Sequence, residues 1–214
     1  MIAPFDLIII IFGADLFSVM ISSRLEVYIR TIMLQGLLLF VAAVFSLPGG
    51  DVGDIILLTV ETLGFKAVVT PWYLRRIIRE NGIFRETEAN IPHFYSMVIG
   101  SALFLFGLGV SYWAAENLAP IKPLHFGMSL SAILVGLFII LARRKLVTHV
   151  MGYIIMENGI FLLSLALATT LPGIVELGVA LDLFVGVFVF GVFIKRIRSV
   201  FDEDHVAGLT DLRD

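Results

Sequence analysis

The amino-acid sequence predicts an all-α integral membrane protein with seven transmembrane helices. Of its 214 residues, 59% are hydrophobic and 15% are charged, whereas soluble domains average about 25% charged residues. The mean hydropathy is +1.00, and the apolar residues fall in runs that approach the roughly 20 residues needed to cross a bilayer. The net charge of −3 argues against a nucleic-acid partner. The lack of cysteine excludes disulfides, thiol nucleophiles and iron–sulfur ligation by this chain.

Turn-forming residues separate the apolar runs, for example Pro48-Gly49-Gly50, Asn81-Gly82 and Pro172-Gly173. The first run lacks a preceding basic segment, because Arg24 and Arg30 follow it. We therefore expect it to be a retained helix rather than a cleaved signal peptide. The predicted spans are residues 4–21, 30–47, 55–75, 94–114, 124–142, 149–168 and 174–194.

The basic residues predict the direction in which the chain crosses the membrane. Lys66 lies inside a span and Lys122 lies on one side, whereas the other thirteen basic residues lie on the opposite side. The positive-inside rule places that richer side in the cytoplasm, with the N-terminus outside and the C-terminus inside the cell (inner) membrane. The thirteen are Arg24, Arg30, Arg75, Arg76, Arg79, Arg85, Arg143, Arg144, Lys145, Lys195, Arg196, Arg198 and Arg213.

The first and last three spans share an order of turn, polar residue, turn, acid and basic stop. Gln35-Gly36 aligns with Asn158-Gly159, and Glu61 aligns with Asp182. Four spans separate the copies, so the sequence predicts a parallel repeat of a three-helix unit around a linker helix. The predicted organisation is an N-terminal unit 1–78, a cytoplasmic loop 79–93, a linker helix with outer loop 94–123, a C-terminal unit 124–197 and a cytoplasmic tail 198–214.

Five ionisable residues fall well within predicted spans: Asp15, Glu61, Lys66, Glu157 and Asp182. Each costs roughly 2.5–3.5 kcal/mol at the bilayer centre. We therefore expect their side chains to face other helices or internal water. Glu61 and Lys66 are separated by about 140° on an α-helix. They are not expected to meet well, so Lys66 is expected to pair across helices.

A structural role is the simpler interpretation for Asp15, which lies near the inner end of its span. Glu61 fits a structural and a functional role equally well. Glu157 begins a polar notch, Glu157-Asn158-Gly159, in an apolar helix. Asp182 lies near mid-span between two glycines. For Glu157 and Asp182 we favour a function in ion transfer.

The remaining polar residues point to packing rather than to chemistry. In the fourth span, Ser96, Gly100, Gly107 and Ser111 form a small-residue series that is typical of a helix-packing face. No pair of histidines has ligand spacing on one helix, so no metal site is expected. The histidines are His93, His125, His149 and His205.

Three features of the last three spans carry a family resemblance: the basic turn Arg143-Arg144-Lys145-Leu146, the segment Val150–Asn158, and Asp182. They resemble the three-helix K subunit of respiratory complex I and its counterpart, the small three-helix component of multisubunit sodium/proton antiporters. With the preceding helices and the ending Phe188–Ile197, nearly the whole chain resembles hydrogenase-4 component E. That family comprises membrane subunits of group 4 nickel–iron hydrogenases and formate hydrogenlyases.

The resemblance implies a subunit of a complex-I-like membrane arm, beside antiporter-like subunits and beneath a peripheral redox arm on the cytoplasmic side. It also implies that the nickel–iron centre and iron–sulfur clusters belong to partner subunits, with no cofactor in this chain. Two intramembrane glutamates of the K subunit are thought to carry protons laterally. The first corresponds to Glu157, and the second corresponds to Asp182, whose carboxyl group reaches one methylene less far. Glu61 corresponds only through the repeat, and Lys66 has no counterpart.

The sequence therefore predicts a non-catalytic subunit that contributes buried carboxylates to ion transfer driven by redox chemistry in a partner. Glu157 and Asp182 are the relay candidates, and Glu61 with Lys66 is a modulating or connecting pair. The alternatives are a subunit of a cation/proton antiporter or another ion-coupled complex, a purely structural scaffold, and a self-contained transporter. Short outer loops and the lack of a ligand cage argue against the last.

Overall fold

The structure, a computed structural model, describes residues 4–46, 53, 56, 59–80, 91–117 and 121–167, and these are nearly all helical. They belong to the first of two units, Met1–Val179, whereas the second unit, Ala180–Asp214, lies outside the described residues. The elements are α1 (Pro4–Ile21), α2 (Leu25–Ser46), a π-helix (Thr59–Val69), α3 (Thr70–Glu80), α4 (His93–Asn117), α5 (Pro123–Ala142) and α6 (Leu146–Leu167).

Four of the described helices contain segments long and apolar enough to cross a membrane, namely Leu25–Phe45, Phe94–Asn117, Pro123–Ala142 and Leu146–Leu167. The chain is therefore a multi-pass membrane protein. Helical residues occupy each of the first six predicted spans. The seventh, residues 174–194, lies outside the described residues, so the total of seven and the repeat stay predictions.

Helix α2 begins at Leu25, five residues before the predicted span. The additional turn contains Glu26 and ends at Arg30, and the two side chains approach to 3.9 Å as an i,i+4 pair. Charged residues at a membrane surface remain hydrated, so the helix continues beyond its apolar portion. The apolar run therefore located the span but underestimated the helix.

The third span differs from a regular α-helix. Its outer half is the π-helix Thr59–Val69, which passes directly into α3 at Thr70. Pro71 lies at the start of α3, where its ring prevents the α-helical hydrogen bond to the residue four positions earlier. A change of helical register next to this proline is the physical counterpart of the kink that Pro71 predicts.

Two ion pairs show which helix ends lie together. Asp6 at the start of α1 contacts His125 at the start of α5, with 3.0 Å between Oδ1 and Nε2. Glu26 at the start of α2 contacts Arg75 in α3, with 2.6 Å between Oε1 and Nη2. These pairings agree with successive crossings in alternating directions. Which end faces the cytoplasm stays a prediction.

The small-residue series of α4 lies against neighbouring helices, as predicted. A Cβ atom added to Gly107 would lie 2.9 Å from the backbone nitrogen of Ser131 in α5. The Ser131 hydroxyl donates to the carbonyl of Phe104 at 2.9 Å, and the Ser111 hydroxyl donates to the carbonyl of Pro123 at 2.6 Å. Small side chains thus let two backbones approach and hydrogen-bond directly.

Candidate functional site

A network of polar side chains joins three helices in the interior of the bundle. Lys66 of the π-helix donates a hydrogen bond from Nζ to Oδ1 of Asn158 in α6, at 3.3 Å. Asn158 in turn donates from Nδ2 to Oε1 of Gln35 in α2, at 3.0 Å. We call Gln35, Lys66 and Asn158 the central network. The prediction that Lys66 pairs across helices is confirmed, with an amide as the partner.

The central network and the acids beside it are buried. Gln35 and Asn158 are 0% exposed, Lys66 and Glu61 are each 6% exposed, and Glu157 is 7% exposed. Glu157 directly precedes Asn158 in α6, and Glu61 shares the π-helix with Lys66. The structure therefore places three of the five predicted ionisable residues in one buried region, supported by two amides.

The energetics of Lys66 indicate that the amide alone does not stabilise it. A charged lysine costs roughly 2.5–3.5 kcal/mol at the centre of a membrane. A hydrogen bond between transmembrane helices contributes about 0.6 kcal/mol on average. The ring of Phe161, whose centroid lies 5.0 Å from Nζ, adds about 0.5–2 kcal/mol as a cation–π contact. A nearby acid is required to offset the remainder.

The prediction that Glu61 and Lys66 face different directions is wrong. It assumed an α-helix, but both residues lie in the π-helix, where hydrogen bonds join residue i to residue i+5. Residues five apart therefore lie one turn apart on the same face. The helical register makes Glu61 the acid that shares a face with Lys66, as a connecting pair requires.

Glycines bring the helices together beside the two amides. A Cβ atom on Gly36, next to Gln35, would lie 2.8 Å from the nitrogen of Ala67 and 2.9 Å from the carbonyl carbon of Lys66. A Cβ atom on Gly159, next to Asn158, would lie 2.8 Å from the nitrogen of Ile133 in α5. Both amides thus project from positions at which their helix makes a close backbone contact.

The other two predicted ionisable residues are not in this region. Asp15 in α1 is half-buried, and its Oδ1 accepts a hydrogen bond from the hydroxyl of Thr31 in α2 at 3.2 Å. This contact joins the first two helices and is separate from the central network. Asp182 lies outside the described residues, so its position relative to Glu157 stays a prediction.

Sequence reasoning missed two features of the interior. Gln35 served only as a marker of the repeat, although its alignment with Asn158 and its position beside Gly36 were signals of a shared role. The contact of His125 with Asp6 bridges 119 positions, and no local pattern indicates it. Phe5 packs edge-on against His125, with the centroids 4.6 Å apart. Among the described residues, no group of three or more His, Asp or Glu could hold a metal ion.

Comparisons with known proteins bear on the family. No family model matches the chain, and no solved structure matches it. Hydrogenase-4 component E of Escherichia coli (strain K12) is 32% identical over 137 residues, which are 60% of this chain and 62% of that protein. The same protein of Shigella flexneri gives the same values. The chain thus matches somewhat less than two thirds of component E.

A second similarity extends along nearly the whole chain. The uncharacterized protein Rv0085 of Mycobacterium tuberculosis is 30% identical over 214 residues. The match covers 94% of this chain and 93% of Rv0085. An alignment of that extent includes the segments that carry the central network. The chain belongs to the same protein family as Rv0085.

Proposed function

We propose that this protein is a membrane-arm subunit of a complex-I-like, energy-converting hydrogenase. In this proposal it contributes buried ionisable groups to the translocation of protons, or of another ion, driven by redox chemistry in a partner subunit. The observation that carries the proposal is the central network, with Glu61 and Glu157 buried beside it. Partial similarity to hydrogenase-4 component E supports the type of complex.

The proposed roles follow from position. Glu157 and Asp182 exchange the transferred proton, and the Glu61–Lys66 pair connects them to the first three spans. Lys66 carries a positive charge that changes the proton affinity of nearby carboxylates, and Asn158 holds its ammonium group in place. Buried carboxylates near a fixed cation are the groups expected in an intramembrane proton relay.

The redox centres belong to other subunits in this proposal. Cysteine thiolates are the usual ligands of iron–sulfur clusters, and this chain contains no cysteine. It therefore lacks the donors for such clusters, and the nickel–iron centre is likewise assigned to a partner. The remaining partners are antiporter-like membrane subunits, with the peripheral hydrogenase arm on the cytoplasmic side. The N-terminus is proposed to face outward.

The first experiment identifies the complex. The chain is extracted from its native membrane in a mild detergent, and the proteins that accompany it are identified by mass spectrometry. We expect a nickel–iron large subunit together with an antiporter-like subunit. Antiporter-like subunits without a redox partner would favour ion exchange instead. Recovery of the chain by itself would contradict membership of either complex.

The second experiment tests the relay. Glu157→Gln and Asp182→Asn are introduced in the assembled complex, and proton uptake per electron is measured in inverted membrane vesicles. We expect at least about a tenfold loss, equivalent to roughly 1.4 kcal/mol on the transfer step, with redox turnover retained. Glu116→Gln is the matched control, because Glu116 lies exposed near the end of α4. Unchanged uptake would contradict the relay, whereas failure to assemble would favour a scaffold.

A further inference from the structure

Helix α2 carries a stripe of polar side chains inside the bundle. Tyr28, Thr31 and Gln35 are spaced by three and four residues, so they share one face of the helix. Tyr28 and Gln35 are 0% exposed and Thr31 is 1% exposed. With a rise of 1.5 Å per residue, the stripe is about 10 Å long. It leads from the end of the bundle at which α2 begins toward the central network.

Two members of this polar stripe contact neighbouring helices. Thr31 donates its hydroxyl to Oδ1 of Asp15, at 3.2 Å, where α1 passes beside α2. Gln35 accepts the amide hydrogen of Asn158, at 3.0 Å. Asp15 on one side and the central network on the other are thus connected through one face of α2.

Two buried polar atoms along this route have complementary requirements. Among the described residues, no donor reaches Oδ2 of Asp15 and no acceptor reaches Nε2 of Gln35. Burying such groups without a hydrogen bond costs about 1–3 kcal/mol each. A water molecule both donates and accepts, and buried water typically bonds polar groups that are otherwise unsatisfied. Both atoms therefore favour ordered water on either side of Thr31.

We propose that the polar stripe is a hydrated path by which protons reach the central network from the end of the bundle where α1 ends and α2 begins. Asp15 is the entry acid. It accepts a proton from bulk water and returns one to the ordered water, so its own state is restored after each transfer. Thr31 and Gln35 position the water. The purpose of the path rests on the function proposed above, whereas its hydration does not.

Hydration can be tested by chemical labelling, because the chain contains no cysteine. Thr31→Cys and Gln35→Cys are exposed to a small cationic thiol reagent in native membrane vesicles of either orientation. The thiolate is the reactive form and requires water, so we expect labelling at least about tenfold faster than at Ile29→Cys. Ile29 is 0% exposed on the same helix but lies off the stripe.

Labelling must occur from the side on which α2 begins, which the predicted orientation makes cytoplasmic. Equal, slow labelling at all three positions would overturn the proposed hydration. Labelling only from the opposite side would overturn its direction.

The role in translocation is tested separately from the relay. Thr31→Val and Asp15→Asn in the assembled complex are expected to slow proton uptake per electron about tenfold, with redox turnover retained. Thr31→Ser restores the hydroxyl and is expected to restore uptake. Ser129→Ala is the control, because the buried Ser129 hydroxyl donates to the carbonyl of Phe126 in its own helix.

Two outcomes distinguish the path from the proposed function. If Glu157→Gln abolishes uptake while Thr31→Val and Asp15→Asn leave it unchanged, the relay stands and the path is wrong. If Glu157→Gln leaves uptake unchanged, the proposed function fails, whatever the labelling shows. Uptake that is lost in Thr31→Val and not restored by Thr31→Ser would also overturn the role of the hydroxyl.

Discussion

Two regions of the bundle use small and polar residues in the membrane interior to different ends. Where α4 meets α5, the hydroxyls of Ser111 and Ser131 donate to backbone carbonyls, and Gly107 lies against the backbone of Ser131. Where α2, the π-helix and α6 meet, a lysine and two amides bond one another through their side chains. Both regions contain close glycine contacts, so glycine does not distinguish them.

The difference lies in what each region requires of its partners. A serine bonded to a carbonyl is uncharged and stabilises a contact between helices, so the α4–α5 region serves packing. A lysine beside buried acids can change its charge state only together with its surroundings, so the central network links the positions of three helices to a protonation state. Substitutions in the two regions should therefore separate stability from ion transfer.

The largest effect is expected from Asn158→Leu. Lys66 loses the acceptor for its ammonium group, and Gln35 loses the donor to its carbonyl oxygen. Leaving buried polar groups unsatisfied costs about 1–3 kcal/mol, so we expect at least about a tenfold loss of proton uptake per electron. Asn158→Gln keeps the amide and should retain more uptake than leucine. Equal uptake by the leucine variant and the wild type would show that the network has no role in transfer.

The next effect, on both stability and transfer, is expected from Gly36→Leu. The new side chain meets the backbone of Lys66 and Ala67 rather than a flexible side chain. Overpacking of this kind typically costs about 1–3 kcal/mol, and it also displaces the π-helix that holds Lys66. Thermal melting of the detergent-solubilised complex measures the first effect, and vesicle uptake measures the second.

Gly109→Leu is the matched control for this prediction, since no atom lies within 4 Å of a Cβ added to Gly109. Gly107→Leu extends the comparison to the packing region, where we expect a lower melting temperature but unchanged uptake per electron. Loss of uptake in Gly107→Leu without loss of assembly would contradict the separation of the two regions.

The regions also differ in how far the sequence could predict them. The packing face of α4 follows from local spacing, because small residues three, four or seven apart share one side of any α-helix. The geometry of Glu61 and Lys66 could not follow from spacing alone, because it depends on π-helical register beside Pro71. Predicting that register requires knowledge of the helices against which the segment packs.

The contact of Gln35 with Asn158 is an intermediate case. The two residues are 123 positions apart, and they are the pair that the predicted repeat aligns. Helices at corresponding positions of that repeat also contact each other, since α1 packs on α5 and α2 packs on α6. If the repeat is real, residues near its symmetry axis meet their own counterparts. The sequence contained the alignment but not the axis.

A smaller effect is expected from Ser131→Ala in the packing region. The variant loses one hydrogen bond to the carbonyl of Phe104, and such bonds average about 0.6 kcal/mol with a maximum near 1.7 kcal/mol. We expect a slight decrease in melting temperature and no change in uptake. Ser164→Ala, whose hydroxyl donates within its own helix to Phe161, provides a control for the removal of a buried hydroxyl.

The smallest effect is expected at the Glu26–Arg75 ion pair. It joins α2 to α3 near the membrane surface, and its side chains are 43% and 36% exposed. Partly exposed ion pairs typically contribute about 0.2–1 kcal/mol, and salt weakens them. A double-mutant cycle of Glu26→Gln and Arg75→Gln should give a coupling energy in that range, decreasing with ionic strength, with uptake per electron unchanged.

The result would sharpen the comparison because this pair holds the same two spans together as the contact between Gly36 and the π-helix. If the cycle altered uptake as strongly as Asn158→Leu, any weakening of the α2 contact would disrupt transfer. The central network would then act only by packing. Unchanged uptake would show that transfer depends on the particular side chains of Gln35, Lys66 and Asn158 rather than on the strength of the helix contact.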